Sequence, residues 1–337
     1  MNPKIAVIIL NWNGWKDTVE CLESLYQITF HDYDVVIVDN ASSDNSLEKI
    51  RQYHEGKIEV NSSFFKYSKS NKPVKIIEYT LEESKYIKSR SLGTILIKND
   101  KNYGFAEGNN IGIRYALDTL NADHILLLNN DTVVDKNFLS ELIEVIESRP
   151  HIGFVSPKTY YYDFNNRNDV INFAGGSLSM FKGHSQSIGV NEVDRGQYDD
   201  IKTVEYVEGS CLLAKREVLE KIGLFDTKYF AYWEEADLCT RGFKSGYKSV
   251  YVPKARIWHK VSASTDDPTK IYYYTRNKFW FMEKYANKSE YISFLLLFFG
   301  FYFWNIVCKY IFYDLYKRSF EHSIYFLKGI KNGFLIK

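Results

Sequence analysis

Residues 124–132 read His-Ile-Leu-Leu-Leu-Asn-Asn-Asp-Thr, an apolar run that ends in two amides and an acid. Consecutive apolar residues between polar ones predict a short strand that is buried on both faces of a parallel sheet. In such sheets ligands bind beyond the carboxyl ends of the strands. Asp131 is therefore expected where a carboxylate suits a hard cation that bridges phosphate oxygens. The alternative is that Asp131 and Thr132 only cap a following helix.

Composition excludes several classes of protein. The chain has 337 residues, which is enough for one large domain with an appendage. Its 43 basic and 42 acidic residues almost balance, so nothing in the charge indicates nucleic acid binding. The four cysteines form no Cys-x-x-Cys pair, which predicts neither a zinc ribbon nor a disulfide framework. A reducing, cytosolic location is expected for the main domain.

The first half of the chain alternates strands with helices. Residues 5–10 and 35–38 are β-rich runs, and residues 15–27 between them carry apolar positions at helical spacing, which predicts a βαβ unit. The second run ends in Asp39, another carboxylate at the carboxyl end of a strand. Residues 55–92 have weak periodicity, interrupted by an apolar run at 74–77 and a short helix expected around 81–88, and predict an insertion in the sheet. The glycines at 104, 108 and 112 predict a smooth helix face for close packing or for a ligand.

The second half begins after Pro150, where the alternation stops and a mixed sheet with long loops is expected to hold a second substrate. Residues 229–238, YFAYWEEADL, place an aromatic cluster before three carboxylates. Acids in a first helical turn ordinarily complement the helix dipole. Behind aromatic rings they also form a partly desolvated group, whose pKa rises towards that of a general base. His259 is either structural or a metal ligand or proton carrier.

In this order the motifs resemble the family 2 glycosyltransferases of the GT-A fold, especially the subgroup of rhamnosyl- and galactofuranosyltransferases. The resemblance covers about residues 4–285 and rests on residues 9–13, 38–42, 102–105, 128–132, 233–237 and 258–259. It implies an α/β fold with a Rossmann-like, mostly parallel sheet and helices on both faces, followed here by C-terminal hydrophobic helices. Residues 1–286 would form the catalytic domain, with a nucleotide-binding half at 1–150 and an acceptor-binding half at 151–286.

The resemblance also implies site residues. Asp131 and His259 would hold Mg²⁺ or Mn²⁺ on the diphosphate, although Asn129 replaces the first acid of the family's Asp-x-Asp. Glu235 stands at the family's base position, where Asp is usual, and Asp237 is the second candidate for the base. Acceptor binding is expected at Trp233 and Glu234. The residues expected to bind the nucleotide are Asn11, Asn13, Asp39 (on the nucleobase), Asn102, Gly104 and Asn130.

These roles describe an inverting, metal-dependent transferase that uses a dTDP- or UDP-sugar, such as dTDP-rhamnose. Its acceptor would be a glycan or a lipid-linked molecule in cell-surface polysaccharide or glycoconjugate synthesis. The alternative, motivated by Asn129, is an inactive nucleotide-sugar-binding or scaffold protein. The presence of Asp131, Glu235, Asp237 and His259 together favours the enzyme.

The tail at 287–337 is hydrophobic and basic. Residues 292–312, ISFLLLFFGFYFWNIVCKYIF, approach the roughly 20 residues that cross a bilayer. The segment either spans the membrane, lies in its interface, or packs on the domain or in a homodimer. A location at the cytoplasmic face of the membrane is expected, with a chain ending near Ala286 remaining soluble. The basic residues that favour an anionic leaflet are Lys317, Arg318, Lys328, Lys331 and Lys337, against Asp314 and Glu321.

Overall fold

The computed structural model describes residues 3–87, 93–261, 267–317 and 320–335. The elements of the first half are β1 (Ile5–Asn11), α1 (Trp15–Leu25), β2 (Tyr33–Asp39), α2 (Ser46–His54), β3 (Ile76–Thr80), α3 (Leu81–Tyr86), β4 (Thr94–Lys98), α4 (Gly104–Tyr115), β5 (His124–Leu128), β6 (Thr132–Val134) and α5 (Phe138–Glu147).

The second half adds shorter strands and the C-terminal helices. Its elements are β7 (Ile152–Tyr161), β8 (Ile171–Phe173), β9 (Gly176–Ser179), β10 (His184–Ser187), β11 (Lys202–Val204), β12 (Cys211–Lys215), α6 (Arg216–Ile222), α7 (Glu234–Lys244), β13 (Lys248–His259), α8 (Pro268–Tyr285), α9 (Lys288–Leu297), α10 (Phe303–Lys317) and α11 (Glu321–Leu335).

One mixed sheet organises both halves. Its strands run in the order β11-β13-β7-β12-β5-β1-β2-β4-β3, with β6 paired to β13 and β8 to β7. The five strands from β5 to β3 are parallel, and β12 lies antiparallel between β5 and β7. Because β12 joins strands from either side of Pro150, the two predicted halves share one sheet.

The alternation of side chains along β1 divides the core into two layers. Ile5, Val7 and Ile9 face a cluster that includes α1 and α5, whereas Ala6 and Ile8 face a cluster that includes α4 and α6. Helices therefore cover both faces of the sheet, because each face presents apolar side chains that must be buried. The predicted α/β class is confirmed.

The structure specifies two sequence-based expectations. Within the insertion at 55–92, the run at 74–77 overlaps the edge strand β3, which pairs parallel with β4, and the short helix expected around 81–88 corresponds to α3. The glycines of α4 serve close packing on the sheet. A Cβ atom at Gly112 would lie 2.5 Å from Ile8 Cγ2, and one at Gly108 would lie 2.7 Å from Leu10 Cδ1.

The tail forms helices that lie on α8. A five-residue π-helical turn joins α9 to α10, so residues 288–316 form one continuous helix of 29 residues. An 18-residue window of this helix has a mean hydropathy of 1.8, so the helix is long and apolar enough to cross a membrane. Phe294 and Phe298 on its inner face are buried with Phe326 of α11 against Phe279 of α8. The outer face carries exposed aromatic and aliphatic side chains.

A buried carboxylate connects α10 to α11. Asp314 is fully buried, its Oδ1 lies 2.8 Å from His322 Nδ1, and its Oδ2 accepts a hydrogen bond from Ser323 N at 2.9 Å. Removal of residues 287–337 would uncover Phe279 and the rest of this face of α8. The structure therefore argues against the expectation that a chain ending near Ala286 stays soluble. Of the basic residues invoked above, Arg318 and Lys337 lie outside the described residues.

Candidate active site

The site begins where β6 meets the end of β13. Thr132 pairs with His259, and Lys260 N donates a hydrogen bond to the Asp131 carbonyl at 2.9 Å. This antiparallel pairing places His259 Nε2 3.1 Å from Asp131 Oδ1. Because a strand follows Asp131, the helix-capping alternative for Asp131 and Thr132 is wrong. The structure brings together the two residues predicted to bind metal.

The two side chains change each other's pKa. Burial alone would lower the pKa of His259, but the charge of Asp131 and the hydrogen bond outweigh it and raise that pKa above its ordinary value. Burial would likewise raise the pKa of Asp131, but the charge of His259 lowers it. The pair therefore forms a charge-assisted hydrogen bond.

Glu208 belongs to the same cluster and was missed by sequence reasoning. Its Oε1 lies 3.9 Å from His259 Nδ1, and burial raises the pKa of its carboxyl group. Glu208 Oε2 and His259 Nδ1 have no hydrogen-bond partner among the described residues. No sequence signal marks Glu208, because it approaches His259 only when β12 enters the sheet beside β7.

The donor set fits a divalent cation that takes most of its ligands from a substrate. Carboxylate and imidazole both bind Mn²⁺. Mg²⁺ commonly uses one or two carboxylates together with substrate phosphates and water. Within the described ranges, no group of three or more His, Cys, Asp or Glu side chains is arranged to hold a metal. Asp131 and His259 can thus supply two positions, and the unpaired atoms at Glu208 and His259 mark a polar space beside them.

The first two strand ends form a hydrogen-bond network. Asn11 Nδ2 donates to Asp39 Oδ1 at 2.7 Å, and Ser42 N donates to Asp39 Oδ2 at 3.0 Å. Asn13 Oδ1 accepts a hydrogen bond from Ser43 N at 2.7 Å. Asp39 is 1% exposed. Its carboxylate holds the loop together, and its contact with a nucleobase stays a prediction.

Asn130, two residues after the end of β5, belongs to the same network. Its Nδ2 donates to Thr18 Oγ1 at 3.0 Å, and Thr18 Oγ1 donates to Asn11 Oδ1 at 2.8 Å. The carboxyl ends of β1, β2 and β5 are therefore linked by side chains, as expected for neighbouring strands of a parallel sheet. Asn11, Asn13, Asp39 and Asn130 lie together as the sequence predicted.

Asn102 and Gly104 support a loop. Asn102 Oδ1 accepts hydrogen bonds from Asn40 Nδ2 and Gly104 N, each at 2.8 Å. Gly104 has a φ of +77°, and a Cβ there would lie 2.5 Å from Phe230 Cδ2. Phe230 O in turn accepts a hydrogen bond from Phe105 N at 2.7 Å. This motif holds the loop before α7, and nucleotide contacts by Asn102 and Gly104 stay predictions.

The three acids at the start of α7 have different environments. Asp237 is fully buried and accepts hydrogen bonds from Arg241 Nε at 2.8 Å, Lys284 Nζ at 2.7 Å and Tyr285 OH at 2.7 Å. With this many partners its carboxylate has a structural role. The structure therefore does not support Asp237 as the second candidate for a base.

Glu234 and Glu235 each keep a carboxylate oxygen without a hydrogen-bond partner among the described residues, and the more exposed of the two is Glu235. It is half-buried, its Oε2 has no hydrogen-bond partner in the described part of the chain, and burial raises its pKa to about 7. The charge of Glu208 contributes to this rise. Glu234 is buried beside it, and burial together with the charge of Glu235 raises its pKa as well. Glu235 thus has the pKa expected of a base that works near neutral pH.

The loop directly before α7, which leads into these acids, has a strained backbone. Phe230, Tyr232 and Trp233 have φ values of 63°, 70° and 77°, which cost of the order of 1–3 kcal/mol each. The Trp233 ring is buried, with its centroid 5.0 Å from that of Phe281. Its burial argues against the predicted acceptor contact at Trp233, because a ring within the core presents no face to a substrate.

Asn277 holds the loop from α8 and was also missed by sequence reasoning. Its Nδ2 lies 2.9, 2.8 and 2.7 Å from the carbonyl oxygens of Tyr229, Ala231 and Tyr232. Arg276 Nη2 donates to the Tyr229 carbonyl at 2.9 Å. An Asn within a long helix gives no sequence signal for this role, because the loop that it holds lies elsewhere in the chain.

Comparison with known proteins identifies the family of the chain. The family model described as "Glycosyltransferase like family 2" matches residues 3–279. The chain belongs to this family. Among curated relatives, the "Low-salt glycan biosynthesis hexosyltransferase Agl10" of Haloferax volcanii is 27% identical over 199 residues, which are 57% of this chain and 61% of that protein. "Rhamnosyltransferase WbbL" of Escherichia coli is 28% identical over 47% of this chain and 61% of its own length.

A shorter match is more similar in sequence. The "N-acetylglucosaminyl-diphospho-decaprenol L-rhamnosyltransferase" of Mycobacterium tuberculosis is 44% identical over 64 residues, which are 19% of this chain and 21% of that protein. These matches therefore span less than two thirds of each relative.

Solved structures share the fold. The "Mannosyltransferase PcManGT from Pyrobaculum calidifontis in complex with GDP-Man and Mn2+" aligns with a TM-score of 0.57 and 14% identity over 100% of this chain and 89% of its own. The structure "GalNAc-T7 with UDP, GalNAc and Mn2+" gives a TM-score of 0.55 and 17% identity over 76% of this chain and 43% of its own. The GT-A expectation is confirmed at the level of the fold.

The role of Asn277 leads to a first prediction. Asn277→Leu keeps the side-chain size but leaves the Ala231 and Tyr232 carbonyls without their side-chain donor, while the Tyr229 carbonyl keeps the hydrogen bond from Arg276. Unfolding by urea should therefore show a loss of about 3 kcal/mol. Asn61→Leu, at an exposed position in a loop, is the matched control and should change stability little. Equal stability in the two variants would show that Asn277 does not hold the loop.

Proposed function

We propose that this family 2 member is an inverting, divalent-metal-dependent glycosyltransferase. It transfers a sugar from a dTDP- or UDP-sugar, such as dTDP-rhamnose, to a lipid-linked or glycan acceptor during synthesis of a cell-surface polysaccharide or glycoconjugate. The observation that carries the proposal is the Asp131–His259 pair together with Glu235, a carboxylate of raised pKa without a partner among the described residues.

Glu208 connects the two parts of the site. Its charge acts on His259 and also on Glu235. Glu208 therefore supports the assignment of the pair and Glu235 to one site. A divalent cation held by Asp131 and His259 would supply positive charge to the leaving diphosphate.

The reaction that fits these positions is a single displacement. The acceptor hydroxyl oxygen forms a bond to the anomeric carbon as the bond from that carbon to the diphosphate oxygen breaks. Glu235 takes the hydroxyl proton, and the nucleoside diphosphate leaves with the bonding electron pair. Attack from the face opposite the leaving group inverts the anomeric centre. No covalent enzyme intermediate is required.

The relatives support the choice of substrates. One relative is named a rhamnosyltransferase, and another is named for transfer of L-rhamnose to a diphospho-decaprenol acceptor. The two solved structures contain GDP-mannose or UDP together with Mn²⁺. A screen of dTDP- and UDP-sugars for thermal stabilisation with Mn²⁺ present would identify the donor, because a ligand of the folded state raises its melting temperature. Transfer to an acceptor then separates the enzyme from an inactive sugar-nucleotide-binding protein.

The metal assignment predicts the behaviour of an Asp131 variant. Asp131→Ala removes one of the two ligands and should abolish Mn²⁺-dependent nucleotide binding in calorimetry. Asp118→Ala is the control. Asp118 is exposed and precedes β5 in the sequence, so this variant should bind nucleotide and Mn²⁺ as the parent does. Parental affinity for nucleotide and Mn²⁺ in Asp131→Ala would refute the assignment.

The base assignment predicts a pH dependence. A base acts only when deprotonated, so the transfer rate should fall as pH drops below about 7, the pKa of Glu235. Glu235→Gln keeps the shape and should reduce transfer by roughly 10²-fold or more while donor binding persists. Glu217→Gln, exposed on α6, is the control. A parental rate in Glu235→Gln would assign the proton transfer to another group.

We also propose that the tail attaches the protein to the cytoplasmic face of the membrane, with the long helix lying in the interface. Its inner face is engaged with α8 through Phe294 and Phe298, whereas Leu296, Trp304 and Phe312 are 69%, 61% and 73% exposed. An interfacial helix exposes such residues on one side only. A homodimer through this face remains the competing prediction.

Vesicle flotation tests the membrane proposal. The full chain should float with vesicles of phosphatidylcholine and phosphatidylglycerol, and a variant with Leu296, Trp304 and Phe312 replaced by Ser should not. Ile201→Ser with Phe243→Ser removes exposed apolar residues outside the tail and should float like the parent. A parent that stays monomeric and does not float would refute attachment, and a dimer that the triple variant dissociates would support the competing prediction.

A further inference from the structure

A groove runs between α8 and the C-terminal helices. It encloses about 280 Å³, with Lys270, Tyr274 and Lys278 of α8 on one wall. Phe298, Ile306 and Phe326 form the other wall. One side of the groove is therefore cationic and polar, and the other is apolar. This combination suits a ligand that carries an anionic group on a hydrocarbon chain.

Lys278 is a cation without a counter-ion in the described part of the chain. It is half-buried, and no ion pair or hydrogen bond of its ammonium group is found there. Its described contact is with the ring of Tyr274, at 5.4 Å from the centroid. Burial lowers its pKa to about 8. A buried cation costs stability unless it is paired, so an anion that enters the groove would gain by pairing with it.

The groove leads to the catalytic centre. Lys270, Tyr274 and Lys278 recur every fourth residue on one face of α8, so successive side chains are about 6 Å apart along the helix. The centroid of the Tyr274 ring lies 5.8 Å from that of Trp233, and the charge of Glu235 acts on Tyr274. The charge of Lys270 acts on His259. One turn of α8 thus separates Lys278 from Tyr274, whose ring packs against Trp233 at the start of α7.

The groove also opens towards the proposed membrane face. Phe298 and Ile306 belong to the long helix whose outer side exposes Leu296 and Trp304. A hydrocarbon chain that begins against Phe298 can therefore continue into the bilayer, while its anionic end stays at Lys278. A free sugar or a water-soluble glycan would leave the apolar wall unused.

We propose that this groove binds the diphosphate of a polyprenyl-linked acceptor at Lys278, with the first isoprene units against Phe298, Ile306 and Phe326. The proposal rests on the proposed transferase function, because it assigns the acceptor of the same site. The sugar attached to the diphosphate then points along α8 towards Tyr274 and Glu235. Lys270 completes the cationic wall on the side of His259.

Binding of farnesyl diphosphate to the full chain, without donor, tests the groove. Its affinity should fall tenfold or more in Lys278→Gln and persist in Lys278→Arg. Lys309→Gln removes an exposed lysine of α10 and is the matched control. Lys278→Gln should melt at or above the parental temperature, because it removes an unpaired half-buried charge, so a loss of binding would not reflect unfolding.

Two further probes separate the parts of the ligand. Inorganic diphosphate lacks the hydrocarbon and farnesol lacks the charge, and both should bind at least tenfold more weakly than farnesyl diphosphate. Equal affinity for either probe, or parental affinity in Lys278→Gln, would overturn the proposal.

Donor binding distinguishes this proposal from the proposed function. Asp131→Ala should lose Mn²⁺-dependent nucleotide binding and keep farnesyl diphosphate binding. If the parent binds farnesyl diphosphate but no nucleotide sugar, the proposed function fails and the groove assignment stands as a binding site. If it binds and transfers from nucleotide sugars but Lys278→Gln leaves farnesyl diphosphate affinity unchanged, the groove assignment fails alone.

Discussion

The antiparallel pairing of β6 with the end of β13 is the constraint on which the site depends. It brings Thr132 opposite His259 and sets Asp131 within hydrogen-bond distance of the imidazole. The next residue, Lys260, pairs with Asp17 at 2.5 Å and with Glu20 at 2.6 Å, which ties the same corner to α1. Only three residues separate the end of β5 from β6, so the same pairing also fixes the position of Asp131 relative to the end of β5.

Environment gives the acids of α7 distinct properties. Asp237 is neutralised by Arg241 and Lys284, whereas Glu235 lacks such a partner among the described residues. The folded-state pKa of Glu235 is raised, so the stability that its protonated form contributes is present at acid pH and lost as pH rises through about 7. Ionisation of Glu235 near neutral pH therefore lowers the stability of the fold under the conditions in which this carboxylate would accept a proton.

Helix α8 joins the site to the tail. Arg276 and Asn277 hold the strained loop that carries the acids, and Phe279 is buried against the C-terminal helices. The same helix therefore contacts the loop through some of its residues and the tail through others. The tail is consequently part of the core of this protein as well as of its apolar surface.

The sequence by itself determined the α/β class, the strand ends that carry Asn11, Asp39 and Asp131, and the apolar tail, because periodicity and turn residues report on local structure. Only the tertiary structure decided the partners of Glu208 and Asn277 and the contact of Asp237 with Lys284. These contacts are made by residues far away in the chain and by the insertion of β12 between β5 and β7. A local pattern of three acids can indicate the pair of Asp237 with Arg241 four residues on, but it does not reveal that Lys284 joins this pair and that Glu234 and Glu235 each keep an unpaired oxygen.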